Sequence, residues 1–233
     1  MRDEWASSFV YIKNIQRKKK MKLSEWQQII KEIDSLIVQA SNPDGSDSWQ
    51  TFPIGMSWQY ALESCSPKET QIGSHENLVL CSITPGTDAR RRPFGVNRDS
   101  IVRTLEGADI FNYRVDHSHY YKALPNYKFI ISPEGNGIDC HRHYEALLAG
   151  CIPIIERNQL TEEKYKGCPI LWTVAYYEIT PAYLEDVYSE MLTTDYDFSS
   201  LFLSNYTQEV QNKIKQYGNY WTQQLAGKVW YTL

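Results

Sequence analysis

The chain has 233 residues, enough for one large or two small domains. With 42% hydrophobic and 22% charged residues it has a globular composition, which excludes a disordered chain, and its net charge of −4 shows no basic excess of the kind nucleic-acid binders carry. No apolar run reaches the ~18 residues of a membrane span and no signal peptide is visible, so no membrane span is expected.

In chain order, Arg17 to Lys20 with Lys22 form a basic cluster of the sort that solvates a helix end. Ser24 to Ala40 reads as an amphipathic helix capped by Ser24, with Trp26, Ile29, Ile30, Ile33 and Ile37 on one face. A Pro/Gly/Asp loop covers Ser41 to Ser48, and Phe52 to Tyr60 is aromatic and irregular. From Asn77 the pattern alternates. Leu78 to Ile83 reads as a strand, Val96 to Glu106 as a helix, Asp109 to Tyr113 as a strand and His117 to Leu124 as a short helix. Tyr127 to Ser132 is the next strand, apolar and β-branched, and the loop Pro133 to Gly137 that follows carries two glycines. A helix then runs from Asp139 as N-cap to Gly150 as C-cap, leading into Cys151 to Ile155, a short apolar run suited to a buried parallel strand. Pro169 to Thr173 reads as a strand, Pro181 to Leu192 as a helix and Gln208 to Leu225 as a closing helix. This alternation predicts an α/β fold with a Rossmann-like doubly wound parallel sheet over residues 76–233, preceded by a smaller N-terminal part over residues 1–75.

The strand–loop–helix–strand at 127–155 is the most informative stretch. A βαβ unit brings a loop and a helix N-terminus to the carboxyl edge of the sheet, where phosphates and nucleotides bind. On the helix, Tyr144, Leu147, Leu148 and Cys151 fall on a core-facing stripe, while Arg142 and Glu145 share another face with His141 one turn below Glu145. Arg142 stands in the first turn, where the dipole disfavours a cation by roughly 0.3–1 kcal/mol. Asp139 or Glu145 could offset it in an ordinary ion pair, or a diphosphate could do so, held bidentately above the free helix amides.

The loop at Thr84 to Val96 packs Arg90, Arg91 and Arg92 together, with Arg98 opening the next helix and Arg103 further along it. Such a cluster at a strand's carboxyl end is solvated or paired with anions. The five cysteines, Cys65, Cys81, Cys140, Cys151 and Cys168, are scattered without paired metal-ligand spacing, and a reducing compartment is the expected setting. The 17 Tyr and 7 Trp could stack on sugar faces or serve as core.

The residues Ser132, Pro133, Gly135, Gly137, Asp139, Arg142, Glu145, Ala146, Leu147, Gly150, Cys151 and Pro153 resemble, in order and spacing, the donor-binding motif of the exostosin-like glycosyltransferases. The segment is also similar, more distantly, to the α1,3-fucosyltransferases, and the likeness extends over about Glu76 to Thr180. In both families the motif lies in the nucleotide-sugar half of a GT-B fold. The resemblance implies a compact GT-B enzyme whose acceptor side is reduced to residues 1–75. It further implies an inverting, metal-independent transfer from a UDP-sugar, UDP-xylose among the candidates, to a glycan hydroxyl. A GDP-fucose-dependent enzyme and a non-catalytic nucleotide-sugar-binding domain are the alternatives.

By the same likeness, Arg98 and Arg91 would contact the donor phosphates and Arg142 would be a second cationic clamp, so that the cations do the work of a metal. Glu145 would accept the ribose hydroxyls, Ser132, Gly135, Asn136 and Gly137 would line the loop, and Glu134 would meet the sugar hydroxyls. Asp139 completes the donor set as the loop's acidic residue. No metal and no separate cofactor are expected. Asp195-Tyr196-Asp197 has the spacing of a metal-binding Asp-x-Asp but reads as a cap or turn. Inversion needs a general base, for which Asp47 and Asp88 are the candidates carried forward from a set that also holds Asp44, His75, Glu76, His117 and His119. A homodimer would complete the small acceptor side. The setting is cytoplasmic, or lumenal if the sequence is a trimmed fragment.

Overall fold

The structure, a computed structural model, describes residues 52–57, 60, 72–73 and 75–214. The expected helix at 24–40, the loop at 41–48 and the end of the closing helix lie outside the described residues. Contacts divide the chain into two compact units, Met1–Pro67 with Ser199–Leu233, and Lys68–Phe198.

The unit Lys68–Phe198 is a four-stranded, all-parallel sheet with helices on it: β1 (Asn77–Leu80), β2 (Tyr127–Ile131), β3 (Ile152–Glu156) and β4 (Leu171–Thr173), in that spatial order. The strands follow chain order with no reversal among the described residues. The α/β class and parallel sheet read from the alternating pattern are therefore present. The central strands are apolar at successive positions because both of their faces are covered: Phe129, Ile130 and Ile131 have no exposed surface. Pro153 sits in β3, an interior strand, yet costs no ladder bond to β4, because that pairing begins one residue later, at Ile154 and Leu171.

Helix α1 (Arg98–Glu106) and helix α5 (Pro181–Met191) bury Ile101, Leu105, Leu184 and Tyr188 in one core with Phe129, Ile131, Ile152 and Ile154. Ile130 points from the pleat to the opposite face. There α3 (His141–Leu148) supplies Tyr144 and Leu147, both fully buried outside that core. The short helices α2 (His117–Ala123) and α4 (Gln159–Lys164) precede β2 and β4; α4 falls in a stretch for which the sequence suggested no element.

Two local expectations are corrected. Asp109 to Tyr113 is not a strand. Helix α1 ends in a turn that puts Asp109 in the left-handed region (φ 61°), and Ile110 N–H returns to Leu105 O. The segment still lies along the continuation of β1. Tyr113 N–H donates to Cys81 O, and the Asn112 side chain stands in for a peptide group, accepting from Ile83 N–H at 2.7 Å and donating to Ile83 O at 3.1 Å. The N-cap of α3 is Cys140 rather than Asp139, and Gly150, left-handed at φ 73°, follows the C-cap Ala149.

In the other unit, Phe52, Met56, Tyr60, Leu201, Leu203 and Ile214 are buried, two single 3-10 turns occupy Ser199–Leu201 and Leu203–Asn205, and residues 208–214 are helical. Among the described residues, no helix is long and apolar enough to cross a membrane.

Candidate functional site

Parallel strands that all point one way gather their following loops at one edge, and that edge holds Arg91, Arg92 and Arg98 with Glu134 and Glu156. The loop after β1 turns tightly through Gly86 to Arg92, with Arg91 and Arg92 N–H both donating to Asp88 O. Asp88 is fully buried. Its Oδ2 accepts from Arg92 Nε at 2.8 Å and from Arg98 N–H at 3.0 Å, so it ties the loop to the first residue of α1. Asn97 caps that helix in a reciprocal box with Ser100. Asp88, expected as a candidate base, is thus placed as a buried anchor; Asp47 lies outside the described residues.

The arginines reach across to the loop after β2. Arg98, 6% exposed, donates from Nε to Glu134 O at 2.9 Å and from Nη2 to Pro133 O at 3.0 Å. Arg92 Nη2 shares the Glu134 carbonyl at 3.1 Å, and Arg91 Nε takes Gly135 O at 3.1 Å. Arg91 also pairs with the Glu134 carboxylate, and Arg92 with Glu156 at 2.9 Å. Glu156, the last residue of β3, accepts from Glu134 N–H and from Tyr176 Oη. Three guanidiniums therefore hold the main chain of 133–135. A Cβ on Gly135 would come within 2.9 Å of Arg98 Nη2, so glycine is what lets the guanidinium in. Asn136 and Gly137 form the exposed tip of the loop, and Ser132 is buried beneath it.

Helix α3 brings the second set. Arg142 donates from Nε to Tyr120 Oη at 3.0 Å and lies against the Tyr120 ring, 5.6 Å from its centroid. Its Nη1 is buried and has no hydrogen-bond partner. Burial pushes the Arg98 guanidinium down, and the like charge of Arg142 pushes it further. Glu145, 3% exposed, adds a carboxylate whose charge reaches Arg142. Asp139 pairs with Lys164 Nζ and His143 Nδ1, each at 3.3 Å, and accepts from Tyr165 Oη at 2.8 Å. Burial alone would raise its carboxyl; the His143 bond and the Lys164 charge outweigh that and hold it well below the usual range.

Of the residues expected at the site, Arg91, Arg98 and Glu134 meet at the 133–135 loop, and Arg142 and Glu145 share α3. Tyr120, His143, Glu156 and Tyr176 belong to the same networks and were not singled out in the sequence. Glu156 had a visible signal, a charge closing an otherwise apolar strand at the sheet's carboxyl edge. Tyr120 and His143 had none, since an aromatic in a short helix and a histidine on an apolar face are ordinary core choices. Asp197 N–H donates to Gly167 O, and Asp195 to Asp197 are irregular, neither a cap nor a turn. Among the described residues, no group of acidic, histidine or cysteine side chains has the arrangement of a metal site. No protein-family model matches the chain, and comparison with curated proteins gives no match either.

Proposed function

We propose that the chain is a glycosyltransferase that moves a sugar from a nucleoside diphosphate, with inversion, to a glycan hydroxyl. The observation that carries this reading is the buried, unpartnered Nη1 of Arg142 in the first turn of α3, whose charge also lowers the Arg98 guanidinium. A buried cationic donor without a partner costs about 1–3 kcal/mol or more, and an anion removes that cost. A diphosphate seated on the first turn of α3 would accept from Arg142 and from the helix amides together. In the reaction, the acceptor oxygen attacks the anomeric carbon and the bond from that carbon to the diphosphate breaks. The bonding pair leaves with the nucleoside diphosphate, whose growing charge Arg142 stabilises. Arg98 acts one step back, by fixing the carbonyls that shape the donor loop. The acceptor proton goes to a general base; with Asp88 committed to Arg92 and Arg98, Asp47 is the base this reading carries.

The unit Lys68–Phe198 would be the donor half of a compact GT-B enzyme, with the N-terminal residues on the acceptor side and a UDP-sugar, UDP-xylose among them, as donor. One observation favours a second reading, a binding domain without turnover: Arg91 and Arg98 direct donors to main-chain carbonyls rather than outward.

A thermal-shift panel of UDP, GDP, UDP-xylose, UDP-glucose, UDP-GlcNAc and GDP-fucose, with and without EDTA, tests both. Ligand at ~100 times its dissociation constant adds about 2.7 kcal/mol of stability. The expected result is a UDP-selective rise that survives EDTA and disappears in Arg142→Ala. A GDP-selective rise selects the fucosyltransferase-like alternative. Binding without UDP release in the presence of glycan acceptors selects the second reading. If no nucleotide moves the melting temperature, the donor-site reading fails.

A further inference from the structure

Three segments that lead into adjacent strands meet at one side chain. His75 stands two residues before β1, Pro125 two before β2 and Gly150 two before β3. In a parallel sheet these positions share the amino edge, opposite the edge that holds the arginines. His75 therefore leaves the set of candidate bases. Its Nδ1 lies 2.5 Å from Pro125 O and its Nε2 lies 2.5 Å from Gly150 O. A carbonyl oxygen only accepts, so each contact needs a hydrogen on the nitrogen that makes it. A neutral imidazole has one such hydrogen and one lone pair. In either neutral tautomer a lone pair would point at a carbonyl oxygen. Only the imidazolium, with a hydrogen on both nitrogens, makes both contacts as bonds.

We propose that His75 is a pH-operated clasp. As the imidazolium it staples the entry to β1 to the turns that open β2 and β3, and loss of a proton releases one of them. Histidine is the side chain whose charge ordinarily changes between about pH 5 and 8, and this ring is partly exposed, so its proton exchanges with water. Among the described residues no carboxylate pairs with the ring; the two carbonyls hold its charge. The titratable groups on the segments around it are Glu76 beside it, Lys122 on α2, Tyr127 opening β2 and Cys151 after Gly150. The same edge has bonds that gain and lose no proton. Asn77 Nδ2 donates to Asn126 O at 3.1 Å, and Asn126 Nδ2 donates to the main-chain oxygen of Lys122 at 3.3 Å. These persist as the ring lets go, so the release is a local opening rather than unfolding of the sheet.

The clasp acts on the two helices that also meet at the candidate site. Pro125 lies in the 3-10 turn that continues α2, and Gly150 follows the C-cap of α3. Tyr120 on α2 and Arg142 on α3 are bonded to each other, so the ring and that bond tie the same two helices at separate points. If the donor-site reading above holds, opening the clasp also loosens the anion site. That consequence rests on it, and the clasp does not.

The test is hydrogen exchange of the full chain at pH 5.5 and pH 8, read by mass spectrometry with labelling times scaled to equal intrinsic exchange. The reporting peptides cover 124–127 and 149–152, where Tyr127 N–H closes on Leu124 O and Cys151 N–H on Ala146 O; strand residues 129–131 are the reference. Loss of a bond from a charged donor is expected to lower protection in one or both turns by about tenfold or more at pH 8, with the reference unchanged. His75→Gln keeps a donor but cannot change charge, and is expected to give equal protection at both pH values. Equal protection of the wild-type turns at the two pH values overturns the proposal, whether or not the variant folds. So does a pH-dependent loss that survives in His75→Gln. Affinity for UDP is measured at the same two pH values in both proteins. Binding that weakens at pH 8 more in the wild type than in His75→Gln upholds the link to the site, and an equal change in the two overturns that link. No binding at either pH overturns the donor-site reading, while the exchange result still decides the clasp.

Discussion

His143 shapes how stability answers to pH. Its Nε2 lies 3.0 Å from Ser132 O, a carbonyl that only accepts, and its Nδ1 lies 3.3 Å from an Asp139 oxygen, so its surroundings favour the protonated ring. Burial would push the ring down, but the negative charge at Cys140 and the Asp139 carboxylate hold it up, at about 10. Unfolded, a histidine releases its proton near about 6.5. A raised pKa adds stability that is fully present below about 6.5 and is lost as pH rises toward about 10, with a slope of at most about 1.4 kcal/mol per pH unit. Urea midpoints measured from pH 5 to 10 are expected to fall along this limb, and in His143→Gln the fall should shrink; equal profiles in the two proteins would show that the ring's proton is not linked to folding.

At the scale of elements, the loop at 133–135 is braced by guanidiniums, and its energetics can be read by a double-mutant cycle. Gly135→Ala drives a methyl to 2.9 Å from Nη2 of the Arg98 guanidinium, which carbonyls at Nη2 and Nε hold in place, at an expected cost of about 1–3 kcal/mol. Arg98→Leu leaves the Pro133 carbonyl without that donor, again about 1–3 kcal/mol. With the guanidinium gone the clash goes too, so the double variant should be more stable than the sum of the two changes predicts, by about 0.5–3 kcal/mol in chemical denaturation. Additive losses would mean that the close approach carries no strain. The same scale shows where pattern reading stops. The run Asp109 to Tyr113 has strand composition, but a left-handed Asp109 and the two bonds of the Asn112 side chain replace a ladder with a side-chain mimic of one. Asp139 looks like a helix cap because acidic residues usually are; Lys164 and Tyr165, a quarter-hundred positions along the chain, draw it elsewhere.

At the scale of the molecule, the sheet was legible because a parallel sheet covered on both faces leaves unbroken apolar runs, and Phe129 to Ile131 and Ile152 to Ile155 are such runs. The edge where the site lies followed from strand direction alone. What did not follow was the pairing at that edge: Arg92 meets Glu156 and Arg142 meets Tyr120 through folding of distant segments, which no spacing records. The core that holds those segments together centres on Phe129, packed edge-on against Tyr188 with ring centroids 5.5 Å apart. Phe129→Ala is expected to cost about 3–5 kcal/mol, a large part of the about 5–15 kcal/mol a domain has. Urea unfolding should show the midpoint falling with the slope unchanged; a loss under 1 kcal/mol would mean the site collapses around the cavity.

The guanidiniums that brace the loop after β2 bind its main-chain oxygens at 133, 134 and 135. Every amino acid has that oxygen, so the loop's course does not depend on which side chain its tip displays. Exposed Asn136 can then be exchanged while the chain still folds, and variation there alters the surface the loop presents on an unchanged scaffold. A loop built this way is evolvable at its tip and conservative where it meets itself.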